Sequence, residues 1–182
     1  MQVSNFKIHH VPFEDYLKIE GTSYSSIKEF KGPPNNGMSL GTKVHNYILE
    51  PHKYCWSDAA IVRDIAKELM TVLGSVIKYL DKEVAFTADF MHNGMLLPYK
   101  GRTDLLKIGT IVIDLKILAG SLESAVKYFG YEDQLSGYCL ATGSPVALII
   151  AYNKATKKVE RKVIAPKPDF WEYQTVSRGR PL

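Results

Sequence analysis

The sequence predicts a mixed α/β fold, a central mixed sheet flanked by helices in the order αβββαβ, and three features carry that reading. Apolar positions recur at helical spacing between residues 39 and 80, switch to a period of two from Asp81 to Ile117, and return to a helical stretch followed by the run Val146-Ala147-Leu148-Ile149-Ile150. Alternating segments that follow one another closely form antiparallel strands with one face against helices, and the continuous apolar run reads as a strand buried on both faces. At 182 residues, with 46% hydrophobic and 23% charged side chains, the chain fits a single domain over 1–182 that buries its own core.

Each element has its own signal. Residues 1–37 contain Pro12, Gly21, Gly32, Pro33, Pro34, Asn35, Asn36 and Gly37, which predicts an irregular N-terminal segment of loops and short helices. Leu40, Val44, Tyr47 and Ile48 give a first core helix over 39–50 that carries His45 beside its buried stripe and stops at Pro51. Ser57 is placed to cap a longer helix, in which Ile61, Ile65, Leu69, Leu73 and Ile77 keep a period near 3.6 and Gly74 is placed to bend or split it.

From Asp81 the pattern changes. Val84, Phe86 and Phe90 alternate with Glu83, Thr87 and Asp89, and Asn93-Gly94 supplies a hairpin turn into a second strand, Met95 to Leu106, where Pro98 introduces an irregularity or an exposed edge. In the third strand Ile111, Ile113, Leu115 and Ile117 share one face and Val112, Asp114 and Lys116 the other. Gly120-Ser121 opens a helix to about Ala141, Pro145 to Asn153 forms a buried strand, and Lys157 to Ala165 a more polar one. Residues 166–182 read as a short helix with a basic tail.

Several classes of protein are excluded or disfavoured. No apolar run approaches the ~20 residues of a membrane span, and no signal-peptide pattern opens the chain. Cys55 and Cys139 are isolated, without the pairing of a zinc knuckle or disulfide framework, so a reducing cytoplasm is the expected location. A net charge of +4 is compatible with nucleic acid without requiring it.

The chemistry concentrates in two strands. A turn about Gly109 sets Asp104 directly opposite Asp114, and opposed like charges repel unless a cation lies between them. Two carboxylates with a carbonyl oxygen and waters form the hard-oxygen set that suits Mg2+, with Mn2+ able to substitute. Lys116 shares the space of Asp114 and has the charge to hold an attacking water or to offset charge at phosphorus. Asp-x-Lys on a strand is also how a solvated surface ion pair looks. Here, however, both residues interrupt an otherwise apolar segment.

Several short motifs, taken in order, resemble the PD-(D/E)XK nuclease superfamily, and within it the RecB-like and phage RecE-type (exonuclease VIII-like) exonucleases. They are Ser23-Tyr24-Ser25-Ser26-Ile27-Lys28, Gly41-Thr42-Lys43-Val44-His45, Leu49-Glu50-Pro51, Gly101-Arg102-Thr103-Asp104, Ile113-Asp114-Leu115-Lys116 and Gln134-x-x-x-Tyr138. The resemblance implies a restriction-endonuclease-like core. Asp104, Asp114 and the Leu115 carbonyl would bind metal, Lys116 would assist the nucleophilic water, His45 would be a further ligand, and Glu83 an upstream acid holding water or a second metal.

Function follows from the same resemblance: a Mg2+-dependent exonuclease acting on double-stranded DNA ends in phage-type recombination, inside a bacterial or phage-infected cell. A single-strand annealing partner and a homo-oligomer are left open, since RecE-type relatives form rings around DNA. An endonuclease with the same centre, or a DNA-end binding protein without catalysis, are the competing readings. The clustered cysteines of iron-sulfur members are absent.

Other residues keep two readings. Arg102 is placed either to contact phosphate or to neutralise the acids, and Gln134 and Tyr138, four apart on a helix, either to contact DNA or to pack. His45 alone would read as a core histidine, and Glu83 as a surface carboxylate. Lys157, Lys158, Arg161, Lys162, Lys167, Arg178 and Arg180 form either a backbone-tracking surface or a solvated one.

Overall fold

Alternating apolar residues in six segments build one sheet whose strands lie side by side in sequence order. These are β1 (Gln2–His9), β2 (Asp81–His92), β3 (Met95–Lys107), β4 (Ile111–Leu118), β5 (Ala147–Asn153) and β6 (Lys158–Ile164). The computed structural model describes residues 2–23, 36–53, 60–92 and 94–168. Neighbouring strands are antiparallel except β4 and β5, which are parallel and therefore need a crossover. Helices α4 (Leu122–Phe129) and α5 (Tyr131–Thr142) make it, while α1 (Phe13–Tyr16), α2 (Asn36–Leu49) and α3 (Ala60–Leu73) precede β2. The result is the mixed sheet flanked by helices that the periodicity predicts. No described helix is long and apolar enough to cross a membrane.

Each sheet face has its own core. On one, Phe86, Phe90, Tyr99, Leu106 and Val112 pack with Leu122 and Val126 of α4 and Leu135 and Tyr138 of α5. On the other, Leu105, Ile113, Leu115 and Ile150 pack with Val44 and Ile48 of α2 and Ile65 and Leu69 of α3. The apolar stripes of the helices thus match the two faces of β4 read from its sequence.

Two expectations are corrected. Residues 1–37 were expected to be loops and short helices, but β1 occupies Gln2–His9 and pairs with β2. Its alternation is hidden because the register shifts between Ser4 and Lys7, with Asn5 at φ +52, so that Val3, Phe6 and Ile8 reach the core without keeping a strict period of two. The helix expected to run unbroken from Ser121 to Ala141 is two helices, divided at Gly130 with φ +65 and ψ +37. The long second helix splits at Gly74, one of its two expected outcomes, ending at Leu73 and continuing as a 3-10 turn over Gly74–Tyr79. Tyr24–Lys28, the Ser57 cap, Asn93 and residues 169–182 with Arg178 and Arg180 lie outside the described residues.

Gly101 shows how the cross-strand packing constrains the sequence. It faces Phe86 in the ladder, and a β-carbon added to it would overlap the Phe86 ring and come within 2.8 Å of Tyr138 Cε1. Phe86 in turn meets Tyr138 edge-on with ring centroids 5.6 Å apart. The Gly of Gly-Arg-x-Asp and the Tyr of Gln-x-x-x-Tyr are therefore two sides of one aromatic contact.

Gly101→Ala should destabilise the protein by about 2 kcal/mol through overpacking, whereas Gly120→Ala, whose β-carbon would meet nothing within 4 Å, should fall within ~0.5 kcal/mol of the parent. Denaturant midpoints of the two variants measure the difference; equal midpoints would remove the packing explanation for Gly101.

Candidate metal centre

The site forms where the sheet opens. β3 and β4 pair at Leu105–Ile113, Leu106–Val112 and Lys107–Ile111, the register expected from a turn about Gly109, but the ladder stops before Asp104 and Asp114. The two strands separate there. The Leu115 N–H, beyond the last β3 pair, donates instead to Asp104 Oδ2 at 2.6 Å. The Leu115 carbonyl accepts from His45 Nε2 at 3.0 Å. A side chain from β3 and one from α2 thus replace the missing ladder.

This assigns the tautomer of His45. A carbonyl only accepts, so Nε2 carries the hydrogen and a neutral ring presents its lone pair at Nδ1, which lies 3.6 Å from Asp104 Oδ1. Glu83 of β2 completes a cluster, and the ligand atoms of His45, Glu83 and Asp104 all lie within 4.8 Å of one another. Two donors on opposite sides of a single ion at ~2.1 Å would be about 4.2 Å apart, so the trio is sized for one divalent cation after a small closure.

Glu83 reaches the cluster through an irregular backbone. It lies between the pairs Lys82–Leu105 and Val84–Thr103, which puts it beside Asp104, and it has φ +51. The side-chain alternation of both strands inverts here. Tyr99 and Gly101 face the α5 core but Leu105 the α2–α3 core, while Val84 and Phe86 face the α5 core but Lys82 Nζ donates to the Ile48 carbonyl at the end of α2. A non-glycine residue in the left-handed region costs on the order of 1–2 kcal/mol. The strain sits at a cluster of acids.

Charge balance comes from Arg102. Its Nε lies 2.7 Å from Glu83 Oε2 and its NH2 3.7 Å from Glu50 Oε2, with the Arg102 side chain 10% exposed. Of its two sequence readings, the neutralising one is what this geometry displays. Burial pushes the Glu83 carboxyl up to about 7, with Asp104 acting in the same direction and Arg102 and His45 opposing it.

Asp114 and Lys116 lie on the α5 side of β4. Lys116 Nζ contacts both Asp114 oxygens, at 2.8 and 2.7 Å, and sits 5.1 Å from the centre of the Tyr131 ring. Burial raises the Asp114 carboxyl, Asp104 adds to the rise, and Lys116 opposes it. For Lys116 burial works against the charge, but Asp114 and Asp104 outweigh it and hold the ammonium above the usual lysine range. Asp114 and Asp104 thus feel each other's charge. The ligand-sized group among the described residues, however, joins Asp104 to His45 and Glu83, not to Asp114.

The expected DNA contact of Tyr138 is corrected. Tyr138 is 6% exposed, packs on Phe86, and its hydroxyl accepts from Gln134 Nε2 at 3.0 Å, so its ring offers no surface to a ligand and Gln134 is spent on holding it. Part of the basic surface is also committed, since Lys162 and Lys167 pair with Glu132 at 3.3 and 2.7 Å. Two residues at the centre escaped the sequence reading. Glu50 was visible only as the middle of Leu-Glu-Pro, and Tyr131 was indistinguishable from a core aromatic.

No family model and no curated protein sequence matches this chain. Solved structures do. A structure named as a putative exonuclease from Eubacterium rectale superposes with a TM-score of 0.53 at 16% identity, covering 82% of this chain and 66% of that one. The structure of SSO0001 gives a TM-score of 0.47 at 16% identity over 92% of this chain and 87% of that one. A phage-related exonuclease from Haemophilus somnus gives 0.41 at 13% identity over 90% and 93%.

Because the folded-state value of Glu83, about 7, lies above its ordinary 4.5, the folded protein holds this proton more tightly than the unfolded chain. That contribution to stability is complete below pH ~4.5 and is lost as pH rises through 7, by roughly 2 kcal/mol after allowing for residual solvent. In metal-free buffer the parent should therefore lose stability relative to Glu83→Gln between pH 4.5 and 8. Denaturation midpoints that stay parallel across that range would contradict the assignment.

Proposed function

We propose that this chain, which has the PD-(D/E)XK nuclease fold, is a divalent-metal-dependent deoxyribonuclease that hydrolyses phosphodiester bonds at duplex DNA ends. The observation that carries the reading is the convergence of Asp104, Glu83 and His45 at single-ion spacing, with Asp104 and His45 both bonded to the backbone of Leu115, the residue between Asp114 and Lys116 on β4. A surface ion pair would have no reason to gather Glu83, Asp104, Asp114 and a histidine with Arg102 and Lys116 around a break in a sheet.

In this reading Asp104, Glu83 and His45 would hold the cation, with Asp114 and the Leu115 carbonyl as nearby oxygen donors. A divalent ion held there would supply Lewis-acid chemistry, making a water more acidic and offsetting charge on a leaving oxygen. Lys116 holds the attacking water and offsets charge as the water oxygen bonds to phosphorus and the phosphorus–oxygen ester bond breaks. Arg102 stays on Glu83 and Glu50, keeping the acids from repelling one another before the cation binds. A mixed imidazole and carboxylate set suits Mn2+ at least as well as Mg2+, which favours oxygen donors alone.

End preference and a role in phage-type recombination rest on the motif resemblance; the name of the Eubacterium rectale structure agrees with an exonuclease. A DNA-end binder without catalysis is the weaker reading, because acids gathered as Glu83 and Asp104 are would repel a phosphate unless a cation lay between.

End-labelled linear duplex and closed circular DNA, incubated with Mg2+, with Mn2+ or with chelator, test the proposal. Linear DNA should be degraded only with metal and circular DNA spared; cleavage of the circle would shift the reading to an endonuclease. Asp114→Asn should abolish cleavage with DNA binding retained, and Lys116→Ala should lower kcat by about 100-fold or more with metal affinity intact. His45→Ala should weaken Mn2+ binding more than Mg2+ binding, which calorimetry reads directly. Unchanged cleavage by Asp114→Asn would refute the centre.

A further inference from the structure

A phosphodiester brought to the metal centre carries its bases with it, and the centre has an aromatic surface beside it that no assigned role uses. Phe13 opens α1 and is 46% exposed. The inner face of its ring lies over Arg102, with the guanidinium carbon 5.1 Å from the ring centre, and Arg102 is the direct partner of Glu83. One side chain therefore separates the ring from a cluster ligand.

The ring is also held rigidly, although α1 is only one turn long. Lys100 Nζ donates to the carbonyls of Leu17 at 3.2 Å and Ile19 at 2.6 Å, and lies 5.3 Å from the centre of the buried Tyr16 ring. Phe13 stacks on Tyr16 with centroids 6.1 Å apart and planes at 29°. Lys100 and Arg102 are two apart on β3 and so project from the same side of the strand, each beneath one aromatic of α1. An exposed apolar ring in ordinary use is loose and has neutral surroundings. This one has the Arg102 guanidinium beneath it and stacks on Tyr16, itself seated over Lys100, and a cation on one face draws electron density from the ring and leaves the other face suited to the electron-rich face of a nucleobase.

We propose that Phe13 is a base-stacking platform for the nucleotide whose phosphate lies at the metal centre, an inference that rests on the nuclease reading above. Leu17, 57% exposed at the end of the same turn, extends the apolar ledge past the ring. Stacking of this kind is tolerant of sequence because every base has a π-face, so the platform fixes the strand without selecting a base. The occupant is a nucleotide at the end of the strand, since a base inside an intact duplex has both faces covered whereas an end nucleotide leaves one free.

Cleavage kinetics of the full chain on short oligonucleotides, with Phe13→Ala, Phe13→Leu and Phe13→Trp, test the platform. KM should rise about tenfold for Phe13→Ala and for Phe13→Leu, which keeps the apolar contact with Tyr16 but has no π-face, and Phe13→Trp should restore it, with kcat little changed. A single abasic nucleotide placed at successive positions from the end should cost the parent the same factor at one position and cost Phe13→Ala nothing further there. In chelator, 2-aminopurine at that position should be quenched on binding to the parent and not on binding to Phe13→Ala. Parent-like KM for Phe13→Ala, or abasic and Phe13→Ala losses that multiply, would overturn the platform while leaving the nuclease reading intact. A parent protein that neither binds nor cleaves DNA would overturn both.

Discussion

The separation of β3 from β4 beyond Leu105 and Ile113 is the constraint on which the rest of the site depends. Had the ladder continued, Asp104 and Asp114 would have become an ordinary opposed pair and the amide of Leu115 would have been spent on a backbone carbonyl. The parting frees one amide and one carbonyl of a single buried residue, and buried backbone groups require partners. Asp104 and His45 supply them. Those two hydrogen bonds fix the position of an acid and the tautomer of an imidazole at once, so that backbone satisfaction and ligand geometry are settled by the same contacts.

Electrostatics then decides what the opening can hold. Four carboxylates, Glu50, Glu83, Asp104 and Asp114, lie around it, with Arg102 and Lys116 as their cations and Lys53 on the outer side of Glu50 at 2.7 Å. The positive charge is distributed at the two ends, Arg102 against Glu83 and Glu50, Lys116 against Asp114. Asp104, between them, has the Leu115 N–H and the His45 ring and, among the described residues, no lysine or arginine in contact. This leaves the centre of the cluster short of positive charge, and a divalent ion there would reverse the burial penalty that now raises Glu83.

Much of this was legible beforehand. The faces of β4, the hairpin register and the helices bearing His45 and Gln134 followed from periodicity and turn chemistry, because those signals are local. What escaped was non-local. β1 was masked by its bulge at Asn5, and α4 and α5 were merged because a glycine inside a helical pattern does not announce whether it bends or breaks the chain. The role of Tyr138 was ambiguous in sequence since a helical spacing of four serves packing and recognition alike; only its contact with Phe86 across Gly101 decides it. Likewise Glu83 was visible as an acid near a strand start, but the left-handed backbone that brings it to Asp104 leaves no compositional trace.

The inverted alternation at Glu83 and Asp104 has an evolutionary corollary. Downstream of the inversion Leu105 and Leu106 are committed to opposite cores, and upstream Tyr99 and Gly101 are committed to the aromatic one. Gaining or losing a single residue between Gly101 and Leu105 would send a leucine and a carboxylate to each other's places, and no neighbouring loop could absorb the slip. Descendants of this chain are therefore free to drift in composition along much of β3 but not in spacing there, so the count of residues in this stretch should outlast their identities.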